Sequence, residues 1–202
     1  GAAGATDIKW ISPDGQYATL DGAFNYVAGP TIASLEPGFG PMLGGTKVTL
    51  YGTAFHDDLS VLFDGEPAQV LSVVDGFVAE VVSPASSTGG WVDVSLVNPD
   101  GQIATLIGGF RYLAPPVLSE LWPAQGPGAG GTPIQVSGAG LIEGTTLRFG
   151  EIEAPTVARI DDESLIVITP AHPNGATTVT VVAPDGQEAS LEAAFTFLAA
   201  SG

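Results

Sequence analysis

Apolar and polar positions alternate in short runs along this chain. Runs rich in Val, Leu, Thr and Phe are broken about every 8–12 residues by Gly, Pro, Asn or Asp, the spacing typical of β-sandwiches and β-barrels. After residue 30 the pattern predicts seven short strands, at Thr31–Glu36, Thr46–Gly52, Val61–Phe63, Ala68–Val73, Val78–Val82, Trp91–Val97 and Ile103–Leu113. We expect an all-β chain of packed antiparallel sheets, with a Gly/Pro-rich kink at Pro37–Gly45 where the chain crosses between sheets.

The pattern then recurs as tandem copies of one domain. Pro-Asp-Gly-Gln occurs three times and Gly-Gly-Thr twice, starting at Pro13, Pro99 and Pro184 and at Gly44 and Gly130. Self-similarity at a fixed period means that one structural unit is repeated. The repeat predicts two complete domains at 29–114 and 115–202. Residues 1–28 match only the last hairpin of a repeat, so they resemble the end of a preceding copy.

An aromatic-x-aromatic pair follows each Pro-Asp-Gly-Gln motif, and we expect the pairs of the two complete copies to lie in a core. The three pairs are Phe24 with Tyr26, Phe110 with Tyr112, and Phe195 with Phe197. Residues two apart on a strand point to the same face, which is how core side chains are arranged in a sandwich. Trp10 stands where the other copies have Leu96 and Val181, so it is also predicted to be core.

The N-terminal hairpin leaves two interpretations open, because an isolated two-stranded hairpin is marginal in water. Either residues 1–28 end a repeat whose earlier strands lie outside this sequence, or the hairpin pairs with the sheet edge of another chain. The second interpretation makes the protein a self-associating subunit. The linkers at 28–30 and 114–116 are short and contain proline, which predicts stiff joints and an extended rod.

These residues resemble the IPT/TIG domain, an immunoglobulin-like (E-set-like) fold found in plexins, some transcription factors and many bacterial surface proteins. The matching stretches are 32–37, 40–41, 44–50 and 52 in the first copy and 117–123, 126–127, 130–132 and 138 in the second, closed by Asn98–Gln102 and Phe110–Tyr112. The resemblance covers nearly the whole chain. Its motif residues are turn glycines, kink prolines and core apolar residues, so it implies a fold and assigns no site.

Charge and composition narrow the classes of partner. The chain has 22 acidic and 5 basic residues and a net charge of −17, which opposes binding to nucleic acid or to an anionic membrane surface. No apolar stretch is long enough to cross a membrane, so direct membrane insertion is not expected. The chain has no cysteine, and its Ala-, Gly- and Val-rich composition suggests a bacterial source.

The sequence has few features that indicate catalysis or cofactor binding. His56 and His172 stand at non-equivalent positions of the two copies, and no Gly-x-Ser-x-Gly motif is present, so no catalytic triad is predicted. His56–Asp58 and Asp161–Glu163 are contiguous runs, whereas calcium sites need spaced oxygen ligands. We predict no enzyme activity and no cofactor, with calcium at an interdomain joint as the one alternative left open.

Exposed apolar side chains are the better candidates for partner contacts. Phe39, Met42 and Leu43 form an apolar kink in the first copy only, because the second copy has Gln125, Gly128 and Ala129 there. Trp91 and Trp122 have no aromatic counterpart in the other copy. We therefore predict these five residues as partner contacts, with packing between neighbouring domains as the alternative.

The resemblance implies a non-catalytic extracellular or cell-surface module that acts as a spacer or in adhesion, with a protein or carbohydrate partner. Two alternatives remain. One is a fibre subunit that self-associates through residues 1–28, and the other is a carbohydrate-binding accessory region of a larger enzyme. The fold alone cannot name the ligand.

Overall fold

A computed structural model of the chain describes residues 3–154 and 156–199. This part of the chain contains strands and turns but no helix, and therefore no helix that could cross a membrane. Contacts divide the chain into two compact units, one made of residues 1–38, 47–84 and 92–110 and the other of 39–46, 85–91 and 111–202. The first unit holds the N-terminal hairpin and the core of the first repeat, and the second unit holds the core of the second repeat.

The described residues form twenty strands. Those of the hairpin and the first repeat are β1 (Gly4–Ile11), β2 (Tyr17–Tyr26), β3 (Thr31–Glu36), β4 (Phe39–Pro41), β5 (Lys47–Thr53), β6 (Ser60–Phe63), β7 (Glu66–Pro67), β8 (Gln69–Val74), β9 (Val78–Val82), β10 (Gly90–Val97) and β11 (Ile103–Leu113). Those of the second repeat are β12 (Val117–Trp122), β13 (Gln125–Pro127), β14 (Pro133–Ala139), β15 (Thr146–Phe149), β16 (Ile152–Ala154), β17 (Thr156–Arg159), β18 (Ser164–Ile168), β19 (Gly175–Val182) and β20 (Glu188–Leu198).

Each repeat builds the same pair of sheets. The first has a four-stranded sheet in the order β3-β5-β9-β8 and a five-stranded sheet in the order β4-β11-β10-β6-β7. The second has β12-β14-β18-β17 and β13-β20-β19-β15-β16. The strand orders match one for one, which confirms the prediction of two immunoglobulin-like sandwiches.

The kink region is a correction to the sequence analysis. Part of the segment predicted as a kink, Pro37–Gly45, is strand β4, and it runs parallel to the last strand, with Phe39 opposite Arg111. In the second repeat Gln125 lies opposite Thr196 in the same parallel manner. The Gly/Pro-rich segment does leave the first sheet, but its backbone is extended enough to add a strand to the edge of the second sheet.

The paired glycines after the kink explain why Gly-Gly-Thr repeats. Gly44 and Gly45 have φ values of 72° and 85°, and Gly130 and Gly131 have 74° and 83°. A positive φ is strained for a residue with a Cβ atom, and two in succession need glycine. The repeated motif is therefore a turn that sends the chain back into β5 and β14.

Apolar side chains fill the inside of each sandwich. In the second repeat one cluster of buried side chains joins both sheets, and it includes Val179, Val181, Phe195 and Phe197 from the closing hairpin β19–β20. In the first repeat Phe110 is fully buried and meets Phe63 edge to face at 5.1 Å. The core positions predicted for Phe110, Tyr112, Phe195 and Phe197 are confirmed.

The closing hairpin of the first repeat carries polar side-chain contacts that the second repeat lacks. Asn98 is buried and donates from Nδ2 to the carbonyl of Ala54 at 2.8 Å, while its Oδ1 accepts from the backbone N–H of His56 at 3.2 Å. The equivalent residue of the second repeat is Ala183, which is buried and has no polar side chain. The two closing hairpins are therefore held to the rest of their sandwiches in different ways.

A second difference lies at the bulge of the closing hairpin. Asp93 Oδ1 accepts a hydrogen bond of 2.7 Å from the backbone N–H of Gly108, and Gly108 has a positive φ of 56°. The second repeat has Thr178 and Ala193 at these positions, and Ala193 keeps a φ of 51°. The bulge geometry is thus the same, but in the second repeat a residue with a Cβ atom must adopt it.

The N-terminal hairpin β1–β2 has the register of a closing hairpin. Gly4 lies opposite Tyr26 and Ile11 opposite Tyr17, just as Gly175 lies opposite Phe197 and Val182 opposite Glu188 in the second repeat. Both hairpins also have a register shift at the same place, after Thr6 in one and after Thr177 in the other.

Candidate interaction surface

Two of the predicted contact residues come together through the parallel pairing of β4 with β11. This pairing sets Phe39 opposite Arg111, and the guanidinium carbon of Arg111 lies 6.0 Å from the centroid of the Trp91 ring. Trp91 is 66% exposed and Phe39 37%. Phe39, Trp91 and Arg111, here called the aromatic–arginine cluster, combine residue types that often dominate protein interfaces.

The other two apolar residues of the kink, Met42 and Leu43, differ in exposure: Met42 is half-buried and Leu43 is exposed. Met42 donates its backbone N–H to the carbonyl of Leu113 at 3.2 Å and accepts from the N–H of Ser86 at 2.8 Å. Its sulfur lies close to Gly89, where a Cβ atom would approach to 3.6 Å. Leu43, in contrast, is 85% exposed at the tip of the turn. Leu43 is therefore the better candidate for a contact, and Met42 supports the turn.

Trp122 belongs to a different sheet from the aromatic–arginine cluster. It ends β12 in the four-stranded sheet of the second repeat, where it lies opposite Gln135, and it is 72% exposed. Its side chain points away from the core because its strand neighbour Leu121 is buried and successive side chains alternate. The sequence prediction that Trp122 is exposed agrees with this placement.

The N-terminal hairpin presents an apolar face that includes Trp10, which sequence analysis assigned to a core. This surface, here called the hairpin face, comprises large side chains that are all exposed, namely Ile8, Trp10, Leu20, Phe24 and Tyr26. Trp10 is 64% exposed, whereas the equivalent Val181 is fully buried. The prediction of Trp10 as core is therefore wrong for the residues that the structure describes, and Phe24 and Tyr26 on the same face are exposed as well. Their alternation is correct, but no second sheet covers them in the described chain.

The Pro-Asp-Gly-Gln turns explain much of the acidic character near the hairpins. In the first repeat the backbone N–H of Gln102 donates to Asp100 Oδ1 at 3.0 Å, and its side-chain amide donates to Oδ2 at 2.7 Å. These hydrogen bonds hold the pKa of Asp100 below its usual value. Gln187 makes the same pair of contacts to Asp185. The motif is therefore a turn stabilised by hydrogen bonds between its own residues.

The acidic run considered for calcium also has a local role. Asp161 Oδ1 accepts hydrogen bonds of 2.9 Å from the backbone N–H of Glu163 and from the hydroxyl of Ser164, which lower the pKa of Asp161. Asp162 pairs instead with Arg159. Across residues 3–154 and 156–199, His and acidic side chains form no group of three that could hold a metal ion.

Comparison with known proteins identifies both repeats. The family model described as the IPT/TIG domain matches residues 30–112 and 116–197. The chain is 28% identical to Plexin-2 of Caenorhabditis elegans over 156 residues, which is 76% of this chain and 9% of the plexin. It is 30% identical to human Plexin-A4 over 146 residues, which is 66% of this chain and 8% of the plexin.

A solved structure shares the fold. The full extracellular region of Plexin A4, domains 1 to 10, superimposes with a TM-score of 0.56 at 20% identity, over 94% of this chain and 18% of that chain. The chain thus spans less than a tenth of the length of the curated plexins it matches. The similarity concerns the repeated β-sandwiches alone.

Proposed function

Because the chain belongs to the IPT/TIG domain family, we propose that it is an extracellular or cell-surface segment that acts as a spacer and as an adhesion module for a protein partner. The observation that carries this proposal is the tandem array itself, in which two complete sandwiches account for most of the chain. Tandem IPT/TIG domains with extracellular relatives fit a non-catalytic module. The relatives named above are animal proteins, so a bacterial source remains a prediction.

The spacer role is supported by how the apolar residues are used. The inward-facing aromatic side chains of both closing hairpins, such as Phe110 and Phe195, are fully buried in the sandwiches. Close-packed domains of this kind resist deformation. The net charge of −17 keeps such a module soluble and opposes non-specific self-association.

The adhesion role is supported by the aromatic–arginine cluster. Trp91 is a large exposed side chain, Arg111 lies beside its ring, and Phe39 lies opposite Arg111 on the neighbouring strand. Trp and Arg are enriched among the residues that dominate binding energy, because each combines a large contact area with a polar group. Since the rest of the surface is acidic, a partner with a basic rim fits best.

Adhesion is tested with beads that carry the full chain and are added to cells that produce the protein. We expect the wild-type beads to adhere and Trp91→Ala to reduce adhesion at least about tenfold, the factor expected when a dominant contact residue is removed. Trp122→Ala is the comparison variant, because it removes the other exposed tryptophan predicted as a contact, on a different sheet, and so shows whether the loss is specific to the cluster. Equal adhesion of all three would contradict the role of the cluster.

The location is tested separately with an antibody against the second repeat. Labelling of intact, unpermeabilised cells is the expected result, and labelling only after permeabilisation would exclude a surface role. The chemical class of the partner is tested in the same bead assay. If free oligosaccharides inhibit adhesion and protease treatment of the cell surface does not, the partner is a carbohydrate and not a protein.

A further inference from the structure

The hairpin β1–β2 has the same register as a closing hairpin, down to its bulge. Asp7 Oδ1 accepts a hydrogen bond of 2.8 Å from the backbone N–H of Gly22, and Gly22 has a φ of 60°. This is the contact that Asp93 makes with Gly108 in the first repeat at 2.7 Å. A bulge held by a side chain at the same position indicates that the hairpin is shaped for a sandwich.

The hairpin face also repeats a set of residues of the first repeat that are buried, or partly buried in the case of Leu106. At the offset of 86 residues that separates Pro13 from Pro99, three of its five side chains are identical, and the other two are Ile8 for Val94 and Trp10 for Leu96. The identical pairs are Leu20 with Leu106, Phe24 with Phe110 and Tyr26 with Tyr112. An exposed face of five large apolar side chains is unusual on a soluble protein and marks a surface that is normally covered.

The complete repeats show what covers this face. In the second repeat, Val179, Val181, Phe195 and Phe197 of the closing hairpin are buried in one cluster with side chains from the rest of the sandwich. Both edges of that hairpin are paired as well, β20 with β13 and β19 with β15. In the described chain, β1 and β2 are paired only with each other.

We propose that β1–β2 is the closing hairpin of a third IPT/TIG sandwich, and that the hairpin face binds the earlier strands of that sandwich. These strands correspond to β3–β9 of the first repeat and are joined to Gly4 in the full-length polypeptide by a short loop. The joining loop corresponds to residues 83–89, which connect β9 to β10. This inference does not depend on which partner the two complete domains bind.

A second copy of this chain is a poorer occupant of the hairpin face. The strands that would cover it belong to sandwiches whose own hairpins, β10–β11 and β19–β20, already fill the position. Insertion of β1–β2 into a complete sandwich of a second chain would displace one of these hairpins and expose buried side chains such as Phe110 or Phe195. Removing such residues from a core is strongly destabilising.

The test supplies the proposed strands. Residues 30–89 are placed a second time, directly before Gly4, in the full chain. We expect backbone amide hydrogen exchange in residues 17–26 to slow by at least about a hundredfold, because amides of a completed sandwich exchange mainly through global unfolding whereas an isolated hairpin opens readily. Mass spectrometry of peptic peptides measures this directly, since residues 17–26 are not duplicated.

Control variants show whether the protection comes from packing of the hairpin face or only from the added polypeptide. Phe24→Ser in the fused chain should abolish the protection, because it removes the central side chain of the hairpin face, whereas Asn25→Ser on the opposite face should not. Trp10 is larger than the Leu96 it replaces, and overpacking is destabilising, so the fusion is also made with Trp10→Leu. If residues 17–26 exchange as fast in both fusions as in the original chain, the proposal is wrong.

Light scattering on the original chain tests the alternative occupant. A monomer across a wide range of concentration is expected. Dimers or larger species that form with rising concentration and disappear on Phe24→Ser would overturn the proposal, because a second copy would then occupy the hairpin face.

Discussion

The two complete domains share strand order, turns and core, yet their closing hairpins are secured differently. The first repeat uses buried Asn98 and the Asp93–Gly108 hydrogen bond, and the second has Ala183, Thr178 and Ala193 in their place. Both hairpins nevertheless bury the paired aromatic residues of their last strands, Phe110 with Tyr112 and Phe195 with Phe197. The comparison indicates that apolar packing determines the fold, while polar contacts and glycine at the bulge adjust the stability of each copy.

The largest expected effect comes from removing the packing that the two domains share. Phe110→Ala and Phe195→Ala should each lower the free energy of unfolding of their own domain by about 3–5 kcal/mol, because both side chains are fully buried. Phe24→Ala, at the equivalent place in the exposed hairpin, should change stability by less than about 0.5 kcal/mol. Urea unfolding followed by hydrogen exchange of each domain measures the three effects. Similar losses at all three positions would show that Phe24 is already in a core.

The second-largest loss of stability is expected in the first domain alone. Asn98→Ala leaves the carbonyl of Ala54 and the N–H of His56 without their side-chain partner, and we expect a loss of about 1–3 kcal/mol. The surface substitution Asn25→Ala is the matched control. Urea unfolding measures the change. If Asn98→Ala is neutral, the buried amide does not contribute to the stability of the first domain.

Alkaline pH should also distinguish the closing hairpins, because the first has Tyr112 where the second has Phe197. Burial raises the pKa of Tyr112 from 10.0 to about 12. The neutral phenol is therefore favoured in the folded state, so its stabilising effect is complete below pH 10 and is lost as the pH rises toward 12. We expect a loss of roughly 1–3 kcal/mol over this interval. In chemical unfolding at a series of pH values, Tyr112→Phe should remove this loss of stability. If the variant has the same pH dependence as the wild type, ionisation of Tyr112 is not its cause.

The smallest effect concerns the bulge of the second domain. Ala193 has a φ of 51°, a conformation that disfavours residues with a Cβ atom. Ala193→Gly should stabilise the second domain by about 0.5–1 kcal/mol, while Gly108→Ala should destabilise the first domain by a similar amount. Thermal unfolding of the two variants measures both shifts. Shifts of the same sign would contradict this explanation.

The fold was largely predictable because it depends on local signals that the chain repeats. Alternating apolar residues identified the strands, and the paired aromatics Phe110 with Tyr112 and Phe195 with Phe197 identified the core. Strand β4 was missed because a segment rich in Gly and Pro looks like a loop. It becomes a strand only through pairing with β11, a partner more than sixty residues away in the printed sequence.

The candidate surface was only partly predictable. The exposure of Trp91, Trp122 and Leu43 was predictable because none has a bulky apolar counterpart in the other repeat. The nearness of Arg111 to Trp91 could not be read from the sequence, because it depends on how β10 and β11 are placed in three dimensions. Trp10 was assigned to a core because it aligns with Leu96 and Val181, but it is exposed in the described chain, since a sequence pattern does not show whether covering strands are present.

The parallel pairing of β4 with β11 has a consequence for synthesis on the ribosome. A strand near the beginning of each domain has its partner at the very end, so this pairing closes a loop that spans nearly the whole domain. Closing such a loop is entropically costly and slows folding. Each domain should therefore remain open until its last strand has left the exit tunnel. The domains should then fold in turn, each completed before synthesis of the next is finished.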